Sequence, residues 1–343
     1  MKIRKKQLMK VGFASYRTLL FIKVFLIFSL TYGCLRANAS DKEIPAAIIV
    51  DIFIKGKQTA ETSNSIVIPL KQVGRLFLIE AKVDEEEGNL IFDTGATEFV
   101  LNRTYFRKYA AYEKQGAGGI TGNFGQVHGT VVKQLDASGF FYEKVEADLA
   151  DLGHIEDQRG VKILGLFGLK MIDDLEIIFD AAHQQLILFK LDSRGERMDN
   201  KTFIEEYNFV QTLDKKAGIA MIKGKIGERQ LTFCLDTGAE INAINKNVPK
   251  KVMELIQISR KSAVRGSAAG KSEVYYGIIN NFEFGNQNFG SMGTVIIDLT
   301  AMSESYGCHI DGMLGYDFWI KGKYCLNFKK NQISFNLSKE AKP

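Results

Sequence analysis

Cysteine, histidine, proline and tryptophan are all scarce in this chain: among 343 residues there are 4, 4, 4 and 1 of them. The histidines, His128, His154, His183 and His309, are scattered without the spacing of metal ligands, so no metal site and no cofactor is expected. Cys34 stands apart from Cys234, Cys308 and Cys325, which all fall in the second half. Three is odd, so at least one of these is free or pairs outside the chain. Cys234 and Cys325 sit in apolar, strand-like runs, where a buried small hydrophobe is at least as good a reading as a disulfide. The low proline count decides nothing by itself, and Trp319, the one tryptophan, is read as core.

What the N-terminus does have is positive charge. Lys2, Arg4, Lys5, Lys6, Lys10 and Arg17 precede an apolar stretch that is interrupted at Lys23 and resumes over 24–31. Its uninterrupted part is shorter than the roughly 20 residues of a membrane span. Ala37-Asn38-Ala39 offers a small-x-small cleavage site, so residues 1–39 are expected to be a secretory signal peptide, with export to the periplasm or the extracellular space. Two alternatives stay open: Cys34 after Gly33 as a lipid anchor site, though Thr31 stands where leucine is usual, and the whole segment as an uncleaved single-pass anchor. The segment carries eight basic residues and no acidic one. Without it the chain has 37 basic against 40 acidic groups, and a formal net charge of +5 becomes −3. Nothing basic is left over to attract a nucleic acid.

The organising feature is written twice. Residues 90–102 read LIFDTGATEFVLN and residues 234–245 read CLDTGAEINAIN, each an apolar run, Asp-Thr-Gly-Ala and more apolar residues, with Asp93 and Asp236 143 residues apart. Later, Gly165 and Gly168 match Gly312 and Gly315 at an offset of 147, which also sets Asp180 against Asn327. Elements recurring in one order at nearly one offset are stronger evidence than either tripeptide. The expected division is 1–39 signal peptide, 40–65 N-terminal extension or extra strand (44–55 being the apolar run), 66–190 first lobe, 191–207 linker, 208–338 second lobe and 339–343 tail. Short strands at regular spacing predict an all-β fold with few short helices, two small barrels. Asn102 is expected to cap a helix over 103–114 and Asn245 one running through Ile258.

An apolar strand ending in Asp-Thr-Gly presents a carboxylate at a tight turn. The glycine admits a close approach by the second copy, and the threonine hydroxyl can bond locally or across to it. If the copies meet about a pseudo-two-fold axis, two carboxyl groups share one proton and titrate as a pair. The charged member can then take a proton from water while the neutral member gives one to a carbonyl oxygen.

FDTGATEFVLN and LDTGAEINAIN, followed by LFGLKMI and MLGYDFW, resemble the aspartic peptidases of the retropepsin and pepsin type, most closely bacterial retropepsin-like proteins. The resemblance covers about 67–189 and 219–335. It implies two tandem closed β-barrel lobes related by a pseudo-two-fold axis, with Asp93 and Asp236 as the catalytic pair. Thr94 and Thr237 would interlock, Gly95 and Gly238 would offer backbone N–H groups, and the segments ending in Gly168 and Gly315 would support the turns. Flap candidates, matched by position and glycine content, are Gly122, Asn123, Phe124 and Gly125 in one lobe and Gly266, Ser267 and Ala268 in the other. Viral retropepsins dimerise; here one chain carries both units, so a monomer with intramolecular lobe pairing is implied. Pepsins have serine after the glycine, whereas Ala96 and Ala239 offer no hydroxyl to the carboxylates, which predicts a mildly acidic to neutral working range.

The implied activity is endopeptidase cleavage of extended peptides. A non-catalytic binder of peptides or envelope components on the same fold is the alternative, and an assembly protein the third reading. Glu240, which stands where the first copy has Thr97, is read as a surface charge or a subsite residue.

Overall fold

A computed structural model describes residues 64–114, 127–199, 205–265 and 271–338. The expected signal peptide, the apolar run 44–55, the seven flap candidates Gly122, Asn123, Phe124, Gly125, Gly266, Ser267 and Ala268, and the tail 339–343 lie outside the described residues.

Strand β1 (Ser65–Pro69) leads into a first lobe of β2 (Lys71–Val73), β3 (Leu76–Val83), β4 (Glu86–Asp93), β5 (Val100–Asn102), helix α1 (Arg103–Phe106), β6 (Tyr112–Lys114), β7 (Val127–Ala137), β8 (Phe140–Ala150), helix α2 (Gly153–Arg159) and β9 (Ile163–Gly168). The hairpin β10 (Glu176–Asp180) and β11 (Gln185–Phe189) follows. The second half has β12 (Phe209–Thr212), β13 (Asp214–Lys216), β14 (Ile219–Ile226), β15 (Arg229–Leu235), β16 (Asn242–Asn245), helix α3 (Lys250–Met253), β17 (Ile256–Arg265) and β18 (Lys271–Ile279). It continues through β19 (Phe282–Phe284), β20 (Gln287–Asn288), β21 (Met292–Ile297), helix α4 (Thr300–Ser305), β22 (Gly312–Leu314), helix α5 (Tyr316–Trp319) and the hairpin β23 (Gly322–Asn327) and β24 (Gln332–Leu337).

The architecture is mostly β, in two barrel-type lobes related by a pseudo-two-fold axis. Strands β3 and β14 show how each lobe gathers its core. Their first four residues are buried on both faces, Phe77 and Ile79 against one apolar cluster and Leu76 and Leu78 against another, with Ala220 and Ile222 against Ile219 and Met221 in the matching places. In the first lobe the order β3-β4-β9-β5-β8-β7 returns to β3 through Ala81 to Val83, so the barrel is a closed ring of six strands.

The second lobe departs from the closed barrel expected of it. Where β7 pairs with both β8 and β3, its counterpart breaks at Asn280-Asn281 into β18, which pairs with β21, and β19, which pairs with β14. Asparagine favours turns over strands, and Asn280 accepts from the Ser291 hydroxyl at 2.9 Å. The pairings therefore form a half-barrel rather than one ring.

Both halves contribute to a third sheet, ordered β1-β11-β10-β23-β24-β12. At its centre β10 runs antiparallel to β23 with Ile178 opposite Cys325, residues that correspond at the offset of 147, so the two-fold axis passes through this pair. On one side of it Asn327 donates to Glu176 at 2.9 Å; on the other Lys323 meets Asp180 at 2.9 Å. The segment after β11 is docked rather than free: Leu191 bridges to Arg197, whose guanidinium pairs with Glu176 and lies 4.0 Å from the centre of the Phe189 ring.

The expected helices over 103–114 and from Asn245 through Ile258 are each a single turn, α1 and α3. Asn102 does cap α1, accepting from Thr104 N at 3.2 Å, but Pro249 stands at the N-cap of α3, and Asn245 instead accepts from Asn247 N at 3.2 Å and Leu299 N at 3.4 Å. The rest of each stretch pairs as β6 and β17, because strand pairing outweighs weak local helix preference. Trp319 is fully buried, and the described cysteines Cys234, Cys308 and Cys325 are free.

One core runs through both halves. Phe179 of β10 packs edge-on to Phe77 at 4.9 Å and to Trp319 at 5.2 Å, and the cluster continues through Phe318, Tyr324 and Phe335. Shared sheet and shared core predict that the lobes unfold together. Calorimetry of residues 64–338 should show one transition, and Phe179→Ala should lower its midpoint by destabilising the whole by about 3–5 kcal/mol; two separated transitions, only one of them shifted, would contradict this.

Candidate active site

Strand β4 ends in Asp93 and β15 leads directly into Asp236, each beside a parallel strand, β9 ending in Gly168 and β22 running into Gly315. Phe92 and Asp93 lie beside Phe167 and Gly168, and Cys234 and Leu235 beside Met313 and Leu314. A Cβ on Gly168 would stand 2.1 Å from Glu98 O, and one on Gly315 2.4 Å from Ala239 O, which no side chain permits. These approaches let Leu169 N reach Ala96 O at 2.8 Å and Tyr316 N reach Ala239 O at 2.9 Å, tying each Asp-Thr-Gly turn to its own lobe.

The turns are tied to each other by their threonines. Thr94 N donates to Thr237 Oγ1 at 2.9 Å and Thr237 N to Thr94 Oγ1 at 3.0 Å. Each hydroxyl then donates onward across the interface, Thr94 to Leu235 O at 3.0 Å and Thr237 to Phe92 O at 2.8 Å. Both threonines are buried, so every polar atom in the clasp is satisfied only by the opposite lobe.

The clasp brings the two carboxyl groups into hydrogen-bond contact. Asp93 Oδ1 accepts from Gly95 N at 2.9 Å and Ala96 N at 3.0 Å, and its carboxyl carbon would lie 2.6 Å from a Cβ on Gly238. Asp236 Oδ1 accepts from Gly238 N at 2.9 Å. Burial raises both carboxyls above their ordinary range, and the charge of Asp93 adds to the rise at Asp236, which goes well above it. Asp93 is half-buried and Asp236 only 3% exposed. The two carboxyls therefore titrate as a pair that shares one proton, and the deeper burial of Asp236 favours its neutral form. Among the described residues no group of three or more His, Cys, Asp and Glu is placed to hold a metal ion.

Residues that the sequence did not point to flank the pair. Arg75, in the turn between β2 and β3, reaches across to Glu240 O at 3.2 Å and Asp317 Oδ1 at 3.2 Å, and Asp317 Oδ2 accepts from Gly293 N at 2.7 Å. Arg159, the last residue of α2, pairs with the Glu240 carboxylate. Glu240 is thus the second lobe's half of an interlobe ion pair rather than a free surface charge. At the corresponding place across the axis, Thr97 donates to Ala217 O at 3.4 Å and packs on Gly218. No sequence signal links Arg159 to a residue 81 positions away.

A raised carboxyl pKa means that folding favours the protonated form. That contribution is fully present below the unfolded value, 3.8, and is lost as pH rises through the raised folded value. Asp236→Asn removes the penalty of ionising the pair, so its melting temperature should match wild type near pH 3.5 and exceed it by several degrees at pH 8. A variant less stable than wild type at pH 8 would contradict the assigned direction.

Among solved structures, the chain is similar to the aspartic proteinase from Irpex lacteus, at 11% identity and a TM-score of 0.47 over 80% of this chain and 98% of that one. It is also similar to basic 7S globulin from soybean, at 9% identity and a TM-score of 0.44 over 80% of this chain and 95% of that one. No curated protein matches it in sequence. Residues 222–318, from within β14 to α5 and including Asp236-Thr237-Gly238, match the family model described as aspartyl protease. That match lies within the second half of the chain, the half that carries Asp236.

Proposed function

We propose that the chain is an exported aspartic endopeptidase that hydrolyses peptide bonds with a water activated between Asp93 and Asp236. The observation that carries the reading is the reciprocal threonine clasp, which holds two buried carboxyl groups together despite their repulsion. A fold that only held peptides would be more stable with either aspartate replaced.

The chemistry follows from the unequal pair. Charged Asp93 takes a proton from water as the water oxygen bonds to the carbonyl carbon of the scissile amide, while Asp236 gives its proton to the carbonyl oxygen. In the resulting gem-diol one hydroxyl proton returns to Asp236, the proton on Asp93 passes to the amide nitrogen, and the carbon–nitrogen bond breaks. Acid and amine leave, and the pair regains its starting state. Both carboxyls come from one chain, so the reading requires no second copy. The basic and apolar pattern of residues 1–39 supports export, with release after Ala39 or retention through a lipid on Cys34.

Wild type should cleave members of a mixed peptide library and be inhibited by pepstatin-like compounds, and Asp93→Asn and Asp236→Asn should each lose about a thousandfold in rate. The pH–rate profile should be a bell with both limbs above the ordinary aspartate value of 3.8, since both carboxyls are raised. Wild type no faster than the two variants would end the peptidase reading, and peptide binding retained by all three would establish a binder. A rate optimum below about pH 3 would contradict the assigned protonation.

A further inference from the structure

The two Asp-Thr-Gly turns are braced differently. In the second lobe Ala239 O accepts from Tyr316 N, and the residues that follow each partner, Glu240 and Asp317, are gripped by one guanidinium of the first lobe. Arg75 Nη1 donates to Glu240 O and to Asp317 Oδ1, both at 3.2 Å. Arg75 also lies over the Tyr316 ring, 5.2 Å from its centre, and Gln72 donates to the Tyr316 hydroxyl at 2.8 Å. Arg159 takes the other end of Glu240, pairing with its carboxylate. Its guanidinium rests against the turn before Arg75, where a Cβ on Gly74, at φ 62°, would stand 3.2 Å from Arg159 Nη1. Glu240 is therefore held at backbone and side chain by two cations of the opposite lobe. The ion pair is shielded, with side-chain exposures of 16% for Arg159 and 18% for Glu240.

Among the described residues, no cation of the second lobe reaches the first turn. Ala96 O accepts from Leu169 N in the same way, but the residues that follow are Thr97, which donates to Ala217 O, and Lys170, which pairs with Glu98 of its own lobe. The residue matching Arg75 at the offset of 143 is Gly218, where a Cβ would stand 2.3 Å from the Thr97 methyl. The residue matching Arg159 at the offset of 147 is Tyr306, buried in its own lobe. The brace thus falls on one aspartate. Gly238 N donates to Asp236 Oδ1 at 2.9 Å, and Ala239 N also stabilises the charged carboxyl. Both N–H groups lie in the two residues directly before Glu240, so the place of Glu240 decides where they point.

We propose that Arg75 and Arg159 are positioning residues of the dyad: by fixing Glu240 from the opposite lobe they hold the Gly238 and Ala239 N–H groups on the Asp236 carboxyl and keep it aligned against Asp93. The inference rests on the peptidase reading for its effect on rate, and stands apart from it for its effect on the carboxyl. An N–H aimed at a carboxylate favours the charged form, so a loosened turn makes Asp236 keep its proton to higher pH. The titratable groups that face Asp236 are Asp93, Cys234 and Tyr306, and all three stay in place in the variants that test this.

Charge and position can be told apart. The double variant Arg159→Met/Glu240→Gln removes both charges together, so their direct effect on the dyad cancels while the brace is lost. Carbon-13 NMR of the Asp236 carboxyl should show its titration moved up by about half a pH unit or more, with Arg159→Lys close to the parent. Isosteric Glu240→Gln decides the matter if the double variant fails to fold: the unpaired Arg159 would by charge alone lower the titration, whereas a lost brace raises it. In the active enzyme kcat should fall about tenfold in the double variant and in Arg75→Met, with KM little changed, and the basic limb of the pH–rate profile should follow the Asp236 titration upward. An unmoved titration in the double variant, or a lowered one in Glu240→Gln, would overturn the proposal. So would a lower melting temperature with kcat and the pH profile unchanged, which is what a merely structural pair would give. A wild type that cleaves nothing, with the upward titration present in the variants, would end the peptidase reading and keep the positioning assignment.

Discussion

Two threonine hydroxyls crossing one interface are what the rest of the molecule depends on. Thr94 and Thr237 each accept from the other's backbone N–H and donate to a carbonyl of the opposite lobe, so neither Asp-Thr-Gly turn can be satisfied alone in a buried setting. The shared sheet, with Ile178 opposite Cys325 on the axis, and the shared core around Phe179 hold the lobes in the register that this clasp requires. Carboxyl proximity is the consequence: the hydrogen bonds that complete the turns leave Asp93 and Asp236 facing each other in a poorly solvated place, and burial and repulsion then divide one proton unequally between them.

The two-fold is exact enough to compare residues and broken enough to assign them different work. Glu176 with Asn327 is a hydrogen bond where its counterpart, Lys323 with Asp180, is an ion pair. Glu240 is clamped by two arginines of the first lobe, while Thr97 at the matching place touches only the turn at Ala217 and Gly218. Strand β7 runs unbroken and closes its ring, whereas Asn280-Asn281 splits the corresponding strand. Each change is local, and none disturbs the threonine clasp, which has the same geometry from either side.

How far these features could be read in the sequence followed how local they were. Apolar runs ending in Asp-Thr-Gly and the later glycines at 165, 168, 312 and 315 are short-range patterns, and the strands around them are present. The helices after Asn102 and Asn245 were overestimated because the residues that end them, Tyr112–Lys114 and Ile256–Arg265, pair with the strands that follow them, β7 and β18. Helices α2 and α4 carried a usable signal, the left-handed Gly160 and Gly307 that end them, but it is weak without the duplication to align the two. The ion pair of Glu240 was not legible because its partner comes from the other lobe, 81 residues away, and nothing near it in the sequence marks a pair. The free thiols followed from burial: Cys234 and Cys325 are small apolar residues packed in strands.

The central claim is that one proton is held unequally by two buried carboxyl groups. Carbon-13 NMR of the aspartate carboxyls, followed from pH 3 to pH 9 and assigned with Asp93→Asn and Asp236→Asn, tests it most directly. The account predicts two coupled titrations displaced upward, with Asp236 still neutral over a pH range in which Asp93 is charged. Two independent titrations near the ordinary aspartate value of 3.8 would contradict it.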